Sequence, residues 1–370
     1  MLANPNYIMM NYKKIVSVFL VLIFLSLAIP LTVTAQSDTV PEWIKNTAGF
    51  WARGEISDIE FINAMEFLIG SGIIQVPGIS VSNTNVEELT IGFIPTEKAD
   101  ELTPNAEKLE KYLENKLGTD VNIVVPTNYE SIIEGLRFGH IDAAFMDTGP
   151  GWIANQRSGA EVVLSEVVQG KVNYQATVWA KADNDSIHSL EDTIGKKVAF
   201  TSITGSSGFI RPMGTLVANG LIQIQGNDLI ALEAALADSF KAYTFAGGYK
   251  AALELLLNDN VDVAFGSDIA PQKYLTHDQQ SKLRVVETIG PVPSHVFVVR
   301  EEMSESTKNL LVEAMLGLNE DEHNQILLDI YGAEALLPTT TTMHIGEFGT
   351  FIDSLTGLDQ KILDKHNIKK

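Results

Sequence analysis

The sequence predicts an α/β protein made of two similar lobes, and two observations lead to this fold class. Residues 129–145 and 249–265 repeat one pattern: an amphipathic helix, a tight turn and a short apolar strand. Strand and helix patterns also alternate from residue 89 onwards, which is typical of a mostly parallel sheet with helices on both faces. The matched positions are Tyr129/Tyr249, Glu134/Glu254, Leu136/Leu256, Asp142/Asp262, Ala144/Ala264 and Phe145/Phe265. Two lobes that face each other form a cleft, and a cleft implies a ligand.

The N-terminus has the pattern of a secretion signal. Lys13 and Lys14 precede an apolar run over residues 15–31, and small residues up to Ala35 offer a cleavage site. We expect a signal peptide over residues 1–35. Retention of the run as a membrane anchor stays open, because it is short for a spanning helix but not too short. In both cases the rest of the chain is expected outside the cytoplasm.

The composition narrows the function. The formal net charge of -21 repels nucleic acid and anionic membranes, and it would repel an anionic solute at long range. An anion site in this chain must therefore use short-range neutral donors, although the charge could also serve solubility alone. The chain has no cysteine, which excludes disulfides, a lipid-modified cysteine and a thiolate zinc site.

A small tryptophan-rich module is predicted over residues 36–80. Apolar residues at helical spacing on both sides of Gly54 predict two short helices. The module could be a spacer, or it could attach the protein to an envelope partner through residues 41–77. Residues 81–87 are polar and predict a linker.

The rest of the chain is expected to form the two lobes, with lobe 1 over residues 88–176 and 301–370 and lobe 2 over residues 177–300. The predicted lobe 1 elements are strand 89–94, helix 105–117, strand 121–125, helix 130–138 and strand 141–145. A strand over 172–180 then crosses to lobe 2, which opens with strand 196–202, contains the second repeat, and returns through strand 294–300. Helices near 305–318 and 322–331 close the chain, and residues 339–342 are interpreted as loop.

Candidate ligand-binding residues stand where predicted strands end, because ligands of such sheets bind beyond the carboxyl ends of the strands. Thr96, Tyr129, Asp147 and Thr148 hold such positions in lobe 1. The other candidates are Tyr174, on the strand that crosses to lobe 2, and Tyr249 and Asp268 in lobe 2. The tyrosines could donate hydroxyl hydrogen bonds or simply pack, and Asp268 could accept a hydrogen bond from a ligand or simply cap its strand.

The sharpest local signal is the turn formed by Thr204, Gly205, Ser206, Ser207 and Gly208. A strand enters this turn and a helix leaves it. Backbone N–H groups at a helix start, together with serine hydroxyls, favour an oxyanion. An ordinary N-cap turn has the same pattern. The turn lacks the Gly-Lys-Ser/Thr of a P-loop, so nucleotide binding is not expected.

Nothing in the sequence predicts catalysis, a cofactor or a metal site. The seven histidines are scattered, and none pair at metal-ligand spacing. There is no Gly-x-Ser-x-Gly nucleophile elbow.

From Leu89 to about Tyr331 the chain resembles the phosphate/phosphite/phosphonate-binding proteins of ABC importers. The matching stretches are residues 92–96, 128–145, 205–209, 248–253 and 261–264. The resemblance implies a two-lobed type II periplasmic-binding-protein fold, with two doubly wound sheets that close on a ligand by hinge motion. It also implies an ABC permease and an ATPase as partners, and no enzymatic activity.

The resemblance assigns ligand contacts by position. It matches the family's aromatic contact to Tyr129, its second tyrosine to Tyr174 and its aspartate to Asp268. Its serine/threonine turn matches Gly205, Ser206 and Ser207, with one of three hydroxyls missing and Thr204 as a substitute. Tyr249 replaces the family's histidine. These departures are compatible with a phosphoryl site and leave the organic substituent open. A different small organic anion or vitamin precursor, or a sensor module, remain alternatives on the same fold.

Overall fold

The computed structural model describes residues 42–70, 88–93, 99–126 and 128–364, all of which belong to the unit Glu42–Lys370. The predicted signal peptide, the linker and Thr96 lie outside the described residues. No helix within the described part of the chain is both long and apolar enough to cross a bilayer.

The described residues form fifteen α-helices and eleven strands, and the strands make up two sheets. The strands are β1 (Leu89–Gly92), β2 (Val121–Val124), β3 (Ala143–Met146), β4 (Glu161–Val167), β5 (Asn173–Lys181), β6 (Lys197–Phe200), β7 (Ala242–Phe245), β8 (Val263–Ser267), β9 (Leu283–Pro293), β10 (Val296–Val299) and β11 (Ala335–Pro338). The helices are α1 (Glu42–Ala52), α2 (Asp58–Gly70), α3 (Ala99–Leu117), α4 (Tyr129–Arg137), α5 (Thr148–Ser158), α6 (Arg211–Ala218), α7 (Leu229–Ser239), α8 (Tyr249–Leu257), α9 (Ala270–Tyr274), α10 (His277–Gln280), α11 (Glu305–Leu316), α12 (Asn324–Tyr331), α13 (Thr341–His344), α14 (Gly346–Ser354) and α15 (Asp359–Leu363).

Each lobe is built on one mixed sheet, which confirms the predicted fold class. The first sheet has the order β11–β4–β10–β3–β1–β2, and the second has the order β7–β6–β8–β5–β9. In each sheet the repeated unit supplies the same part: β3 pairs parallel to β1, and β8 pairs parallel to β6. The repeated helices α4 and α8 precede these strands and bury one apolar face against them.

The chain passes between the sheets twice. It leaves β4 at residue 167, turns at Gln169 and Gly170, and enters β5 at residue 173. It returns through Ser294 and His295 from β9 to β10, so the predicted return strand pairs with β3 and β4 of the first sheet. We call residues 168–172 and 294–295 the two crossings.

Several elements escape the sequence pattern. β9 contains Pro291 and Pro293, which normally argue against a strand, but β9 is an edge strand and needs fewer ladder donors. The interpretation of residues 339–342 as loop is wrong at its end, because α13 begins at Thr341. The helices α14 and α15 follow it, and α14 packs against α6 so closely that a Cβ on Gly214 would collide with Phe351.

The helical module takes the predicted form of two helices, α1 and α2, with Gly54 at a φ of 70° between them. Trp43, Ile44 and Leu68 join the core of the first lobe. Ile56 packs in a separate apolar cluster with Val167 and Val172, which flank the first crossing. The module therefore packs against the first lobe and the start of the hinge region.

Candidate functional site

The glycine–serine turn of the second lobe forms the start of a helix. Residues Ser206–Ile210 make a single π-type turn that continues into α6. The carbonyl oxygen of Gly205 accepts hydrogen bonds from the N–H groups of Phe209 and Ile210, both at 2.9 Å. The first N–H groups of a helix have no acceptor within it and carry partial positive charge. This turn can therefore donate to an oxyanion.

Packing on one buried threonine explains the two glycines of the turn. A Cβ on either Gly205 or Gly208 would collide with the side-chain hydroxyl of Thr201, which is buried. The backbone of the turn lies directly on Thr201 for this reason. Any residue larger than glycine at these positions would push the turn away from its place.

Four hydroxyl groups meet at this turn, and we call them the hydroxyl cluster: Tyr174, Ser206, Ser207 and Tyr249. The hydroxyls of Ser207 and Tyr249 are hydrogen-bonded at 2.8 Å. The phenol of Tyr174 lies among the other three hydroxyls, and its pKa is raised well above the ordinary value by burial and then by Tyr249. The phenol of Tyr174 and the two serine hydroxyls are therefore uncharged donors at neutral pH.

The backbone holds the two loops of the cluster together. Gly247 donates its N–H to the carbonyl oxygen of Thr201 at 2.7 Å, and its φ of 88° favours glycine. Tyr249 is the first residue of α8, so its hydroxyl reaches Ser207 from the start of the repeated helix. Thr204 is partly exposed in the same turn.

Asp268 connects two strands next to the cluster. Its carboxylate accepts the N–H of Gln175 at 3.2 Å, and its own N–H donates to the carbonyl oxygen of Gln175 at 3.0 Å. Gln175 follows Tyr174 on β5, so Asp268 lies beside the hydroxyl cluster. The hydrogen bond from Gln175 agrees with the interpretation of Asp268 as a strand cap. A ligand role for Asp268 stays a prediction.

In the first lobe, Tyr129 and Asp147 lie together at the carboxyl end of β3. Tyr129 is almost fully buried, and its hydroxyl accepts the N–H of Asp147 at 3.4 Å. Burial, followed by the charge of Asp147, raises the pKa of Tyr129 well above its ordinary value. Asp147 is the N-cap residue of α5, but its side chain does not bond to the helix start.

Thr148 uses its hydroxyl within the protein. The hydroxyl is buried and donates towards the carbonyl oxygens of Pro293 at 2.9 Å and Ser294 at 3.2 Å. This contact ties the start of α5 to the second crossing. Thr148 would have to rotate its hydroxyl to donate to a ligand, so the structure favours a positioning role for it.

Sequence reasoning missed two side chains at the same edge of the first sheet. Glu166 and His295 lie beside Asp147. The imidazole of His295 is 3.5 Å from the carboxylate of Asp147 and 3.5 Å from the carboxylate of Glu166. Glu166 lies near the carboxyl end of β4 and His295 immediately precedes β10, and these positions could have drawn attention to them. The strand that carries Glu166 was not predicted, and His295 looked like one isolated histidine.

One group among the described residues has metal-ligand geometry, although none was predicted. Possible ligand atoms of Glu320, Glu322 and His323 lie within 4.8 Å of one another. His323 already contacts Glu322 at 3.2 Å and packs on the ring of Tyr112. The group lies on partly exposed residues of the first lobe, and we assign no ion to it.

Comparison with known proteins identifies the family. Residues 91–343 match the model of a family described as the periplasmic substrate-binding proteins of phosphonate ABC transporters. The match includes both sheets, both crossings and the hydroxyl cluster. The chain belongs to this family. As a phosphonate-binding family member it is one of a class of substrate-binding proteins that act outside the cytoplasm.

Two characterised relatives support this membership. The chain is 30% identical over 190 residues to the phosphate-import protein PhnD of Mycolicibacterium smegmatis. This alignment covers 50% of this chain and 57% of that protein. The chain is 26% identical over 251 residues to the phosphonates-binding periplasmic protein of Escherichia coli, which covers 66% of this chain and 70% of that protein. The chain thus aligns with little more than half of the mycobacterial relative.

A solved structure shows the same fold. The Xanthomonas citri protein XAC2383, solved with a chloride ion, has a TM-score of 0.57 and 20% identity to this chain. It covers 72% of this chain and 98% of its own length. The predicted two-lobed architecture of periplasmic binding proteins is confirmed by this likeness and by the two sheets.

Proposed function

We propose that the protein is the extracytoplasmic solute-binding protein of an ABC importer and binds phosphonate, phosphite or phosphate oxyanions between its lobes. The observation that carries this proposal is the hydroxyl cluster at the start of a helix in the second lobe. Neutral donors at hydrogen-bond distance act over about 3 Å, whereas the repulsion from the acidic surface is screened over about 10 Å of salt solution. Such donors allow an acidic protein to hold an anion.

The proposed contacts come from both lobes. In the second lobe the phosphoryl oxygens would be surrounded by Thr204, Gly205, Ser206, Ser207, Gly208, Tyr174 and Tyr249, with Asp268 beside them. The first lobe would complete the site with Thr96, Tyr129, Asp147 and Thr148. Closure about the two crossings would bury the ligand. We propose no catalytic step, because a binding protein releases its ligand unchanged to a permease that an ATPase drives.

The organic substituent is not fixed by these contacts. Tyr249 stacks against Tyr274, with ring centroids 6.3 Å apart, and these rings form an aromatic surface beside the cluster. The module over residues 42–70 remains a candidate attachment element for an envelope partner, and cleavage or retention of residues 1–35 stays a prediction.

Calorimetric titration tests the ligand class. The mature chain would be titrated with phosphate, phosphite, methylphosphonate and 2-aminoethylphosphonate. We expect saturable binding of at least one of them with one site per chain. A carboxylate such as succinate serves as the comparison anion. If succinate gave a saturable heat of binding and none of the four phosphorus compounds did, the result would instead support a different organic anion as the ligand.

A further inference from the structure

The second crossing is hydrogen-bonded both to the first crossing and to the end of β4. Ser294 donates its N–H to the carbonyl oxygen of Val172 in the first crossing at 2.9 Å. Glu166 of β4 donates its N–H to the carbonyl oxygen of His295 at 3.1 Å, and the hydroxyl of Ser294 donates to the carbonyl oxygen of Glu166 at 2.6 Å. Side chains attached at this point therefore lie where the chain passes between the sheets.

The ring of His295 lies between two buried carboxylates. Its Nε2 is 3.5 Å from Asp147 Oδ1, and its Nδ1 is 3.5 Å from Glu166 Oε2. The His295 side chain is 43% exposed, whereas those of Asp147 and Glu166 are 9% and 4% exposed. A neutral imidazole has only one N–H donor. Both contacts are favourable only when this cluster holds one further proton, on the imidazole or on Glu166.

Glu166 is poised to accept that proton. Its Oε1 is buried and has no hydrogen-bond partner among the described residues. Burial raises the pKa of Glu166 to about 7, the charge of Asp147 adds to the rise, and His295 opposes it. A charged Glu166 in this place is disfavoured because an unpartnered buried carboxylate oxygen loses its solvation.

Three titratable groups around the cluster, Tyr129, Tyr331 and His344, keep one charge state near neutral pH. Burial raises the pKa values of Tyr129 and Tyr331 well above their ordinary range, so both phenols stay neutral. Burial lowers the pKa of His344 to about 4, although Ser294 and Glu60 oppose this change, so its ring stays neutral as well. A single proton is therefore the variable charge, and its loss takes the cluster from one net negative charge to two.

We propose that the cluster of Asp147, His295 and Glu166 is a proton-linked control of oxyanion binding at the hinge. The inference rests on the proposed function for its ligand. The cluster lies at the carboxyl-end edge of the first sheet, where the ligand is expected. In the protonated form the imidazole bridges two carboxylates and ties the second crossing to the first lobe. Loss of the proton turns a lone pair towards a carboxylate and adds negative charge beside an anion site.

The consequence is that oxyanion binding takes up a proton near neutral pH. Affinity is expected to fall by up to about tenfold per pH unit once the cluster has lost its proton, which is the limit for one linked proton. Glu166→Gln removes the titration and keeps a neutral hydrogen-bonding side chain. His295→Gln removes the charge that opposes protonation of Glu166, so it should shift the proton uptake to higher pH.

Calorimetry in two buffers of different ionisation enthalpy measures the proton uptake directly. Wild type, Glu166→Gln and His295→Gln would each be titrated with methylphosphonate between pH 5.5 and 8.5, with Glu161→Gln at the exposed end of β4 as control. The ionisation of the ligand is common to all four. We expect wild type and Glu161→Gln to take up more protons than Glu166→Gln, whose affinity varies less with pH, and we expect the uptake in His295→Gln to move to higher pH. Equal proton uptake in all four proteins would overturn the proposal.

A ligand-free measurement separates this proposal from the proposed function. The pKa of Glu166 in the folded protein is raised from 4.5 to about 7. The contribution of this carboxyl to the free energy of unfolding is therefore fully present below about pH 4.5 and is lost as the pH rises through 7. The free energy of unfolding of wild type, relative to Glu166→Gln, should fall across this window and level off above it. A constant difference would show that Glu166 does not titrate there. Silence for all ligands with this pH dependence intact would remove the proposed function instead.

Discussion

The aspartate that the two repeats share has the same bonding in both lobes. Asp142 accepts the N–H of Thr90 at 2.8 Å, and Asp262 accepts the N–H of Lys197 at 2.9 Å. In each lobe the backbone of the aspartate returns a hydrogen bond to the same neighbour, at 2.8 Å. The repeat is thus preserved at this residue because the aspartate fixes the entry of one parallel strand beside the next.

Replacing either aspartate by alanine should destabilise the protein. We expect Asp262→Ala to lower the free energy of unfolding by about 1–3 kcal/mol, since it leaves a strand N–H without its acceptor. Asp142→Ala should cost more, because Arg300 loses its 2.9 Å partner as well. Urea denaturation measures both, with exposed Asp183→Ala as the control. An effect of Asp262→Ala no larger than that of Asp183→Ala would contradict this account.

At the level of single residues, sequence reasoning located the hydroxyl cluster but missed Glu166 and His295. Ser206 and Ser207 are indicated by a glycine-rich turn between a strand and a helix. Glu166 and His295 are 129 positions apart in the chain, and their contact depends on the pairing of β10 with β4. No local pattern encodes that pairing, so it could not be predicted from one sequence.

Among the elements, the helical module has a mixed surface that explains its position. Ile56 is buried against Val167 and Val172, whereas Ile59 on the same module is 63% exposed. The rings of Trp51 and Phe61 stack at the surface with centroids 4.6 Å apart. The module thus uses one face for the lobe and keeps apolar residues on the other.

The two isoleucines offer a matched test of this packing. We expect Ile56→Ala to lower the free energy of unfolding by about 2–5 kcal/mol, because it leaves a cavity against the strands that lead into and out of the first crossing. Ile59→Ala should change it by less than about 0.5 kcal/mol. Urea denaturation followed by tryptophan fluorescence compares them. Equal effects of the two substitutions would show that the module does not pack on the lobe in solution.

The elements that the sequence predicted are those with strong periodicity. Helices α4 and α11 and the strands β5 and β6 lie within a few residues of their predicted positions. The C-terminal helices were missed because their stability comes from tertiary contacts. In α14, for example, Gly349 lies so close to Trp152 that a Cβ there would collide with the indole, and glycine itself is a poor helix former.

For the whole molecule, the C-terminal segment connects the lobes outside the crossings. Arg211 of α6 in the second lobe bonds to Glu347 of α14 at 3.1 Å, and its guanidinium lies 4.5 Å from the ring centroid of Phe351. Trp152 of α5 in the first lobe bonds to Asp353 of the same helix at 2.9 Å. A change in the angle between the lobes would therefore have to move α14 with one lobe or slide it against the other.

The whole molecule combines an acidic surface with hydroxyl donors at a helix start, so an anion is expected to be held by short-range hydrogen bonds. The net charge of -21 was visible in the sequence and indicated that an anion must be held at short range. The fold then brings four hydroxyls together at a helix start, which the sequence could indicate only in part. Tyr174 lies on β5 and Tyr249 begins α8, so the contact between their side chains depends on how the second sheet is assembled.

Titration of methylphosphonate into Ser206→Ala/Ser207→Ala tests this claim most directly. Ser281→Ala, an exposed serine of the same lobe, is the matched control. Two lost hydrogen bonds of about 1–1.5 kcal/mol each predict a weakening of roughly 30-fold to 150-fold, with Ser281→Ala binding like wild type. Wild-type affinity in the double variant would contradict the account, because the oxyanion would then be held somewhere other than the hydroxyl cluster.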